Sequence, residues 1–93
     1  MQWTWDPDKA AANLAKHGIE FDAAIRVFDD PLALSLLDPF PDGTRWRTVG
    51  MVEPGMLFVV HTWPDDNEEA AGRIISARKA TAHERKAYEQ GDW

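Results

Sequence analysis

The side chains of this chain that could act on a substrate stand at the ends of its apolar runs. Arg45 and Arg47 lie two residues apart in Arg-Trp-Arg-Thr-Val, so an extended backbone puts both on one face. Arg73 and Arg78 bracket Ile-Ile-Ser-Ala, and Lys79 follows directly. His61 closes Leu-Phe-Val-Val, and Lys16-His17 precede Gly18. Arginine offers a permanent planar charge to phosphate oxygens, while histidine titrates near neutral pH. Together they suit phosphodiester recognition: an electrostatic clamp for a pentavalent phosphate, a base for a ribose 2′-hydroxyl and a proton donor for the leaving oxygen. The odd separation of Arg73 and Arg78 turns them to opposite faces of a regular strand. Both can serve one site only if that strand twists, bulges or stops short.

Each residue also has a plainer use. His17 beside Gly18 suits the last turn of a helix, where a cation meets the negative end of the helix dipole. His61 in an apolar run suits a hydrogen-bonded core position, and Arg85 and Lys86 suit a solvated helix face. With no cysteine, disulfides, thiolate zinc sites and thiol catalysis are excluded. Nucleotide-binding and hydrolase motifs of the G-x-G-x-x-G, P-loop, G-x-S-x-G and H-E-x-x-H types are absent. His17, His61 and His83 are too far apart for a local metal motif, so neither metal nor cofactor is expected.

The elements that must position these residues read as α+β. Gln2 to Trp5 alternates as a short strand. Asp6-Pro7 starts a helix, with Asp as N-cap and Pro in the first turn, and Lys16-His17-Gly18 ends it. A second helix is expected from Glu20–Asp22 to about Phe28, stopped by Asp29-Asp30-Pro31. The period then changes to two, giving strands over 33–37, 45–52, 56–63 and 73–78. Turns are expected at 39–43 and 53–55, and a polar loop at 64–72. Thr81 with Glu84 forms a capping box for a closing helix to about Gln90. The expectation is an N-terminal strand and helix pair, an antiparallel sheet of about four strands and a C-terminal helix.

Ninety-three residues, 44% of them apolar, make one globular domain spanning the chain. No apolar run reaches the ~20 residues of a membrane span, and no export signal opens the sequence, so a cytoplasmic protein with no membrane partner is expected. The net charge of −6 opposes a general nucleic-acid binder. That charge is uneven: residues 1–28 carry −1, residues 29–69 carry −7 and residues 70–93 carry +2. The excess acid falls largely in the turn segments around 38–42 and 65–69, leaving the C-terminal part locally basic.

Trp5-Asp6-Pro7 with Lys9, Asn13, Lys16-His17-Gly18, Phe21 with Ala24, and Val27-Phe28-Asp29-Asp30-Pro31 resemble the N-terminal signature of BrnT-family toxins. Val49-Gly50 and the block Arg73-Ile74-Ile75-Ser76-Ala77-Arg78-Lys79-Ala80-Thr81, with Glu84-Arg85 and Tyr88-Glu89, resemble its C-terminal signature. The likeness runs over about residues 3–89. It implies a RelE-like fold and a toxin of a type II toxin–antitoxin pair, which inhibits translation by metal-independent RNA cleavage through 2′-hydroxyl attack. It also implies a BrnA-like antitoxin as partner, through which alone operator DNA is reached. Carried over by position, Arg73 and Arg78 would meet phosphate and transition-state charge, and His61 or His17 would act as base or acid. Arg45 would position RNA, with Arg47, Lys16 and Lys79 along its path. Two departures stand out: Thr44 and Trp63 occupy positions where family members often carry Glu. If either carboxylate matters, the alternative is a catalytically weak or inactive module of the same fold that binds the antitoxin.

Overall fold

A computed structural model describes residues 2–38, 44–63 and 71–93. The turn expected at 39–43 and most of the loop expected at 64–72 lie outside the described residues. The sheet has five strands: β1 (Trp3–Thr4), β2 (Leu34–Asp38), β3 (Arg45–Val52), β4 (Gly55–His61) and β5 (Gly72–Lys79). Their order is β1-β5-β4-β3-β2. β2 through β5 pair antiparallel, whereas β1 runs parallel to β5, Trp3 facing Gly72. The sheet is therefore mixed, and five strands replace the four expected. The short N-terminal strand joins the sheet because its indole needs cover: the Trp3 ring lies where a Cβ on residue 72 would be, so only glycine admits it.

Local signals place the helices. In α1 (Pro7–His17) the Asp6 carboxylate accepts from Asp8 N–H, and Gly18 closes the helix at φ 71°, donating its N–H to Leu14. α3 (Ala82–Gln90) opens on the expected capping box, with Thr81 and Glu84 each bonding the other's backbone. The second helix is shorter than expected. α2 (Phe21–Ala24) tightens into a 3₁₀ turn over Ile25–Asp29, which buries Phe21, Ala24 and Val27 on one side.

α1, α2 and the 3₁₀ turn cover one face of the sheet. Leu57 and Val59 of β4 and Ile74 and Ala77 of β5 pack there against Phe21, Ala24 and Val27. α3 lies on the opposite face, over the Val49 and Phe58 end, where the Trp93 ring meets Phe58 edge-on and Tyr88 reaches Asp30. Beyond β1, the outer edge of β5 is closed by a side chain. The buried Asn13 amide donates to Ala77 C=O at 2.8 Å and accepts from Ala77 N–H at 3.1 Å, as a neighbouring strand would. It also donates to Ile19 C=O, tying the end of α1 to the chain that follows.

Candidate functional site

The face of the sheet beside α3 carries the arginines. Strand register alternates side chains, so Arg45 and Arg47 share this face with Val49, Phe58, Val60, Ser76 and Arg78. β5 would turn Arg73 away, but its pairing with β4 slips by one residue: Val60 faces Ser76 and His61 faces Ile74. Ile75 is the extra residue of a β-bulge. Burial shows the same slip, because Ile74 and Ala77, three positions apart, both enter the helix-side core. The bulge consumes one step of the alternation and returns Arg73 to the face of Arg78. Four arginines thus occupy three successive rows of one sheet face: Arg78 beside Phe58, Arg47 in line with Val60 and Ser76, and Arg45 with Arg73 at the far end.

Their settings differ. Arg78 is fixed: its guanidinium makes a two-pronged pair with Glu84, Nη1 to Oε1 at 2.8 Å and Nη2 to Oε2 at 2.9 Å, and lies 4.2 Å over the Phe58 ring. Glu84 Oε1 also accepts from Thr81 N–H, so one carboxylate both caps α3 and holds the arginine. Burial raises the Glu84 pKa, but the bonds from Arg78 and Thr81 prevail and hold it below the usual glutamate value. Arg73 is pinned through its backbone, which accepts from Thr62 N–H and donates to Thr62 Oγ1, both at 2.9 Å, while its side chain reaches solvent. No hydrogen bond or ion pair to another described residue engages the side chains of Arg45, Arg47 and Arg73, and the Nε of Arg47 is buried without a partner. Three guanidinium groups are thus without a partner among the described residues while a fourth is locked beside them.

His61 is on the other face. It is 0% exposed and boxed by the rings of Trp3, Phe28 and Trp63, each near perpendicular to it at centroid distances of 5.5, 4.7 and 4.8 Å. Its Nδ1 lies 3.0 Å from Thr62 C=O, which can only accept, so the proton is on Nδ1. Nε2 therefore accepts from the Thr48 hydroxyl at 2.6 Å, and Thr48 accepts in turn from Ser35 at 2.7 Å. Burial pushes the ring's pKa down to about 4, against the smaller opposing effect of its backbone bond. Both nitrogens are occupied, and the sheet itself separates the ring from the arginines. The structure does not bring His61 to them. Trp63 forms part of the same aromatic box.

The remaining candidates divide. Lys16 and His17, with Lys9 and Asn13, line a shallow groove of about 230 Å³ whose far wall is Ile75 and Ser76. Ser76 belongs to the Arg47 row, so this groove borders the arginine face at the bulge. Lys79 pairs with Leu57 at the opposite end of β5 and lines a separate hollow with Arg26 and Arg85, apart from Arg45 and Arg73. Among the described residues no three His, Asp or Glu side chains are grouped as a metal site would need.

Sequence reasoning assigned Glu84 only to its cap, and gave no role to Thr62 or Asn13. The spacing of Arg78 and Glu84 crosses a strand–helix turn, where no periodic rule pairs them. Asn13 left a readable trace: a polar residue at the spacing of an apolar helical stripe.

A mixed five-stranded sheet with helices on both faces, and four arginines on one of them, defines a small α+β protein. Residues 5–84 match the family model described as "Ribonuclease toxin, BrnT, of type II toxin-antitoxin system". The chain belongs to that family, and the resemblance of its sequence blocks is thereby confirmed. No curated relative matches it. As a type II toxin it has a protein antitoxin for a partner. No helix in the described residues is long and apolar enough to cross a membrane.

Proposed function

We propose that this protein is an endoribonuclease toxin that cleaves RNA on the arginine face, inhibits translation by doing so, and is neutralised in the cytoplasm by a BrnA-like antitoxin, through which alone operator DNA is reached. The convergence of Arg45, Arg47, Arg73 and Arg78 on one sheet face, produced by the Ile75 bulge, carries this reading. The arrangement of sheet and helices supports a RelE-like scaffold. Free guanidinium groups meet phosphate oxygens in two-pronged fashion. In the reaction the ribose 2′-oxygen attacks phosphorus and the bond from phosphorus to the 5′-oxygen breaks, leaving a cyclic phosphate and a 5′-hydroxyl. Arg73 opposes the charge that gathers on the non-bridging oxygens, Arg45 and Arg47 hold the flanking strand, and Arg78, paired with Glu84, adds charge at the other end of the face. No metal or other cofactor enters this scheme.

Of the two histidines considered, His17 is the one assigned to proton transfer, because it lines the groove that borders Ser76. His61 is assigned to the core. Lys16 extends the cationic path along the same groove. Induction of the chain alone in a host cell is expected to arrest growth, and Arg73→Ala to relieve the arrest while the protein stays soluble. Unimpaired growth with ample folded wild-type protein would refute the ribonuclease reading.

One observation favours the second reading, an antitoxin-binding module with little activity. His61 is neutral and enclosed, and Trp63 supplies an aromatic ring in place of a carboxylate. An RNA-cleavage assay on the purified chain separates the two. Tight antitoxin binding with intact RNA would establish the module.

A further inference from the structure

The two long edges of the sheet are finished differently. The β5 edge is closed by β1 and by the Asn13 amide. β2 is the terminal strand on the other side, and among the described residues no strand pairs with its outer edge. It is also apolar. Of the five large apolar side chains most exposed among the described residues, two lie on β2, Leu36, 38% exposed, and Leu37, 43%, and a third, Leu32, 67%, in the turn before it. Leu34-Ser-Leu-Leu-Asp38 carries neither lysine nor proline, which usually protect an edge from pairing. One strand inward, on the face of Leu36, stand Arg47, across from Leu36, and Arg45, across from Asp38.

We infer that the outer edge of β2 receives an extended segment of the antitoxin as a sixth strand, with a carboxylate directed across Leu36 toward Arg47. The inference rests on the family reading, which supplies a protein antitoxin. The backbone groups of β2 provide the pairing, Leu36 and Leu37 provide apolar contact on either face, and Arg47 selects an acidic residue on one face of the incoming strand. Two strand spacings, roughly 10 Å, separate the added strand from β3, a gap that an arginine and a glutamate bridge from opposite sides. Docking and inhibition are then one event: the strand that completes the edge neutralises Arg47 in the row that would hold RNA.

Co-expression with the product of the adjacent reading frame, followed by amide hydrogen exchange of the purified complex, tests this. The amides of residues 34–38 are expected to slow at least about tenfold in the complex relative to the free chain. The double variant Leu36→Lys, Leu37→Lys is expected to weaken the complex about tenfold or more, with the melting temperature of the free chain unchanged. A complex in which 34–38 exchange as in the free chain, or which the double variant leaves intact, overturns the docking site while the family reading stands. Protection of 34–38 in the free chain that rises with its own concentration assigns the edge to a second copy and also overturns it. Recovery of no complex at all overturns the proposal together with the reading beneath it.

Discussion

The two faces of the central sheet put their polar residues to opposite uses. On the helix side, polar groups are tied inward: from exposed Ser35, a hydrogen-bonded chain runs through buried Thr48 and His61 to Thr62 C=O, and the rings of Trp3, Phe28 and Trp63 enclose the histidine. On the α3 side, polar groups are left open, with three arginines unengaged by other described residues and a fourth restrained by Glu84. A titratable ring in the sealed layer serves packing, whatever its chemistry could do elsewhere. Three guanidinium groups in the open layer have no partner among the described residues. Residue type alone does not separate these fates; strand register does.

The comparison can be broken by variants that should affect function on one face and stability on the other. The largest effect is expected from Arg73→Ala: RNA cleavage falls by about 10²–10³ in a single-turnover assay, while the urea midpoint stays within error of wild type. A comparable loss of stability would place Arg73 in the fold and not at the reaction. His61→Ala is the opposite case. It empties a fully buried site and strands the Thr48 hydroxyl, costing about 3 kcal/mol in urea unfolding. If cleavage normalised to folded protein drops as far as in Arg73→Ala, His61 is chemical after all and the two faces are not distinct.

Proton linkage sharpens the contrast. The folded pKa of His61 lies at about 4, below the ordinary 6.5, so between these values the unfolded chain binds a proton that the native chain refuses. Stability is therefore full above pH 6.5 and declines as pH falls toward 4, by at most about 1.4 kcal/mol per unit. His61→Gln, which cannot titrate, should flatten that part of the profile. Asp30 and Glu84, both held below their ordinary values, continue the decline at lower pH. The smallest effect is local. Tyr88 donates to Asp30 at 2.6 Å, a bond that pushes the phenol up to about 12. Asp30→Asn should return its spectrophotometric titration toward 10 and cost about 1 kcal/mol or less from this bond.

Much of the fold was legible because its signals are local. Asp6-Pro7, Gly18 and the Thr81–Glu84 box each act within one helical turn, and the apolar run of β4 marks a strand covered on both faces. What stayed hidden depends on residues distant in sequence. Nothing near Trp3 announces that it will lie parallel to Gly72, and nothing in Arg-Ile-Ile-Ser-Ala-Arg shows which residue will be left unpaired opposite β4. The odd spacing of Arg73 and Arg78 did state the condition for a shared site, and the bulge meets it. His61 was ambiguous for the same reason: an apolar strand offers a histidine two faces, and only the packing of Phe28 and Trp3 decides which one is dry.

The Asn13 amide has a further meaning when the order of synthesis is considered. α1 and β1 are made first, yet both complete themselves on β5, sixty-four residues away in the case of Asn13 and Ala77. Until that strand is made, the first seventeen residues lack the partner that closes them, and the cationic row lacks Arg73 and Arg78. An interrupted chain ending before residue 72 has neither a closed edge nor a complete row. The fold thereby makes the arginine face wait on β5: only a chain extended past residue 78 can hold all four guanidinium groups on one sheet.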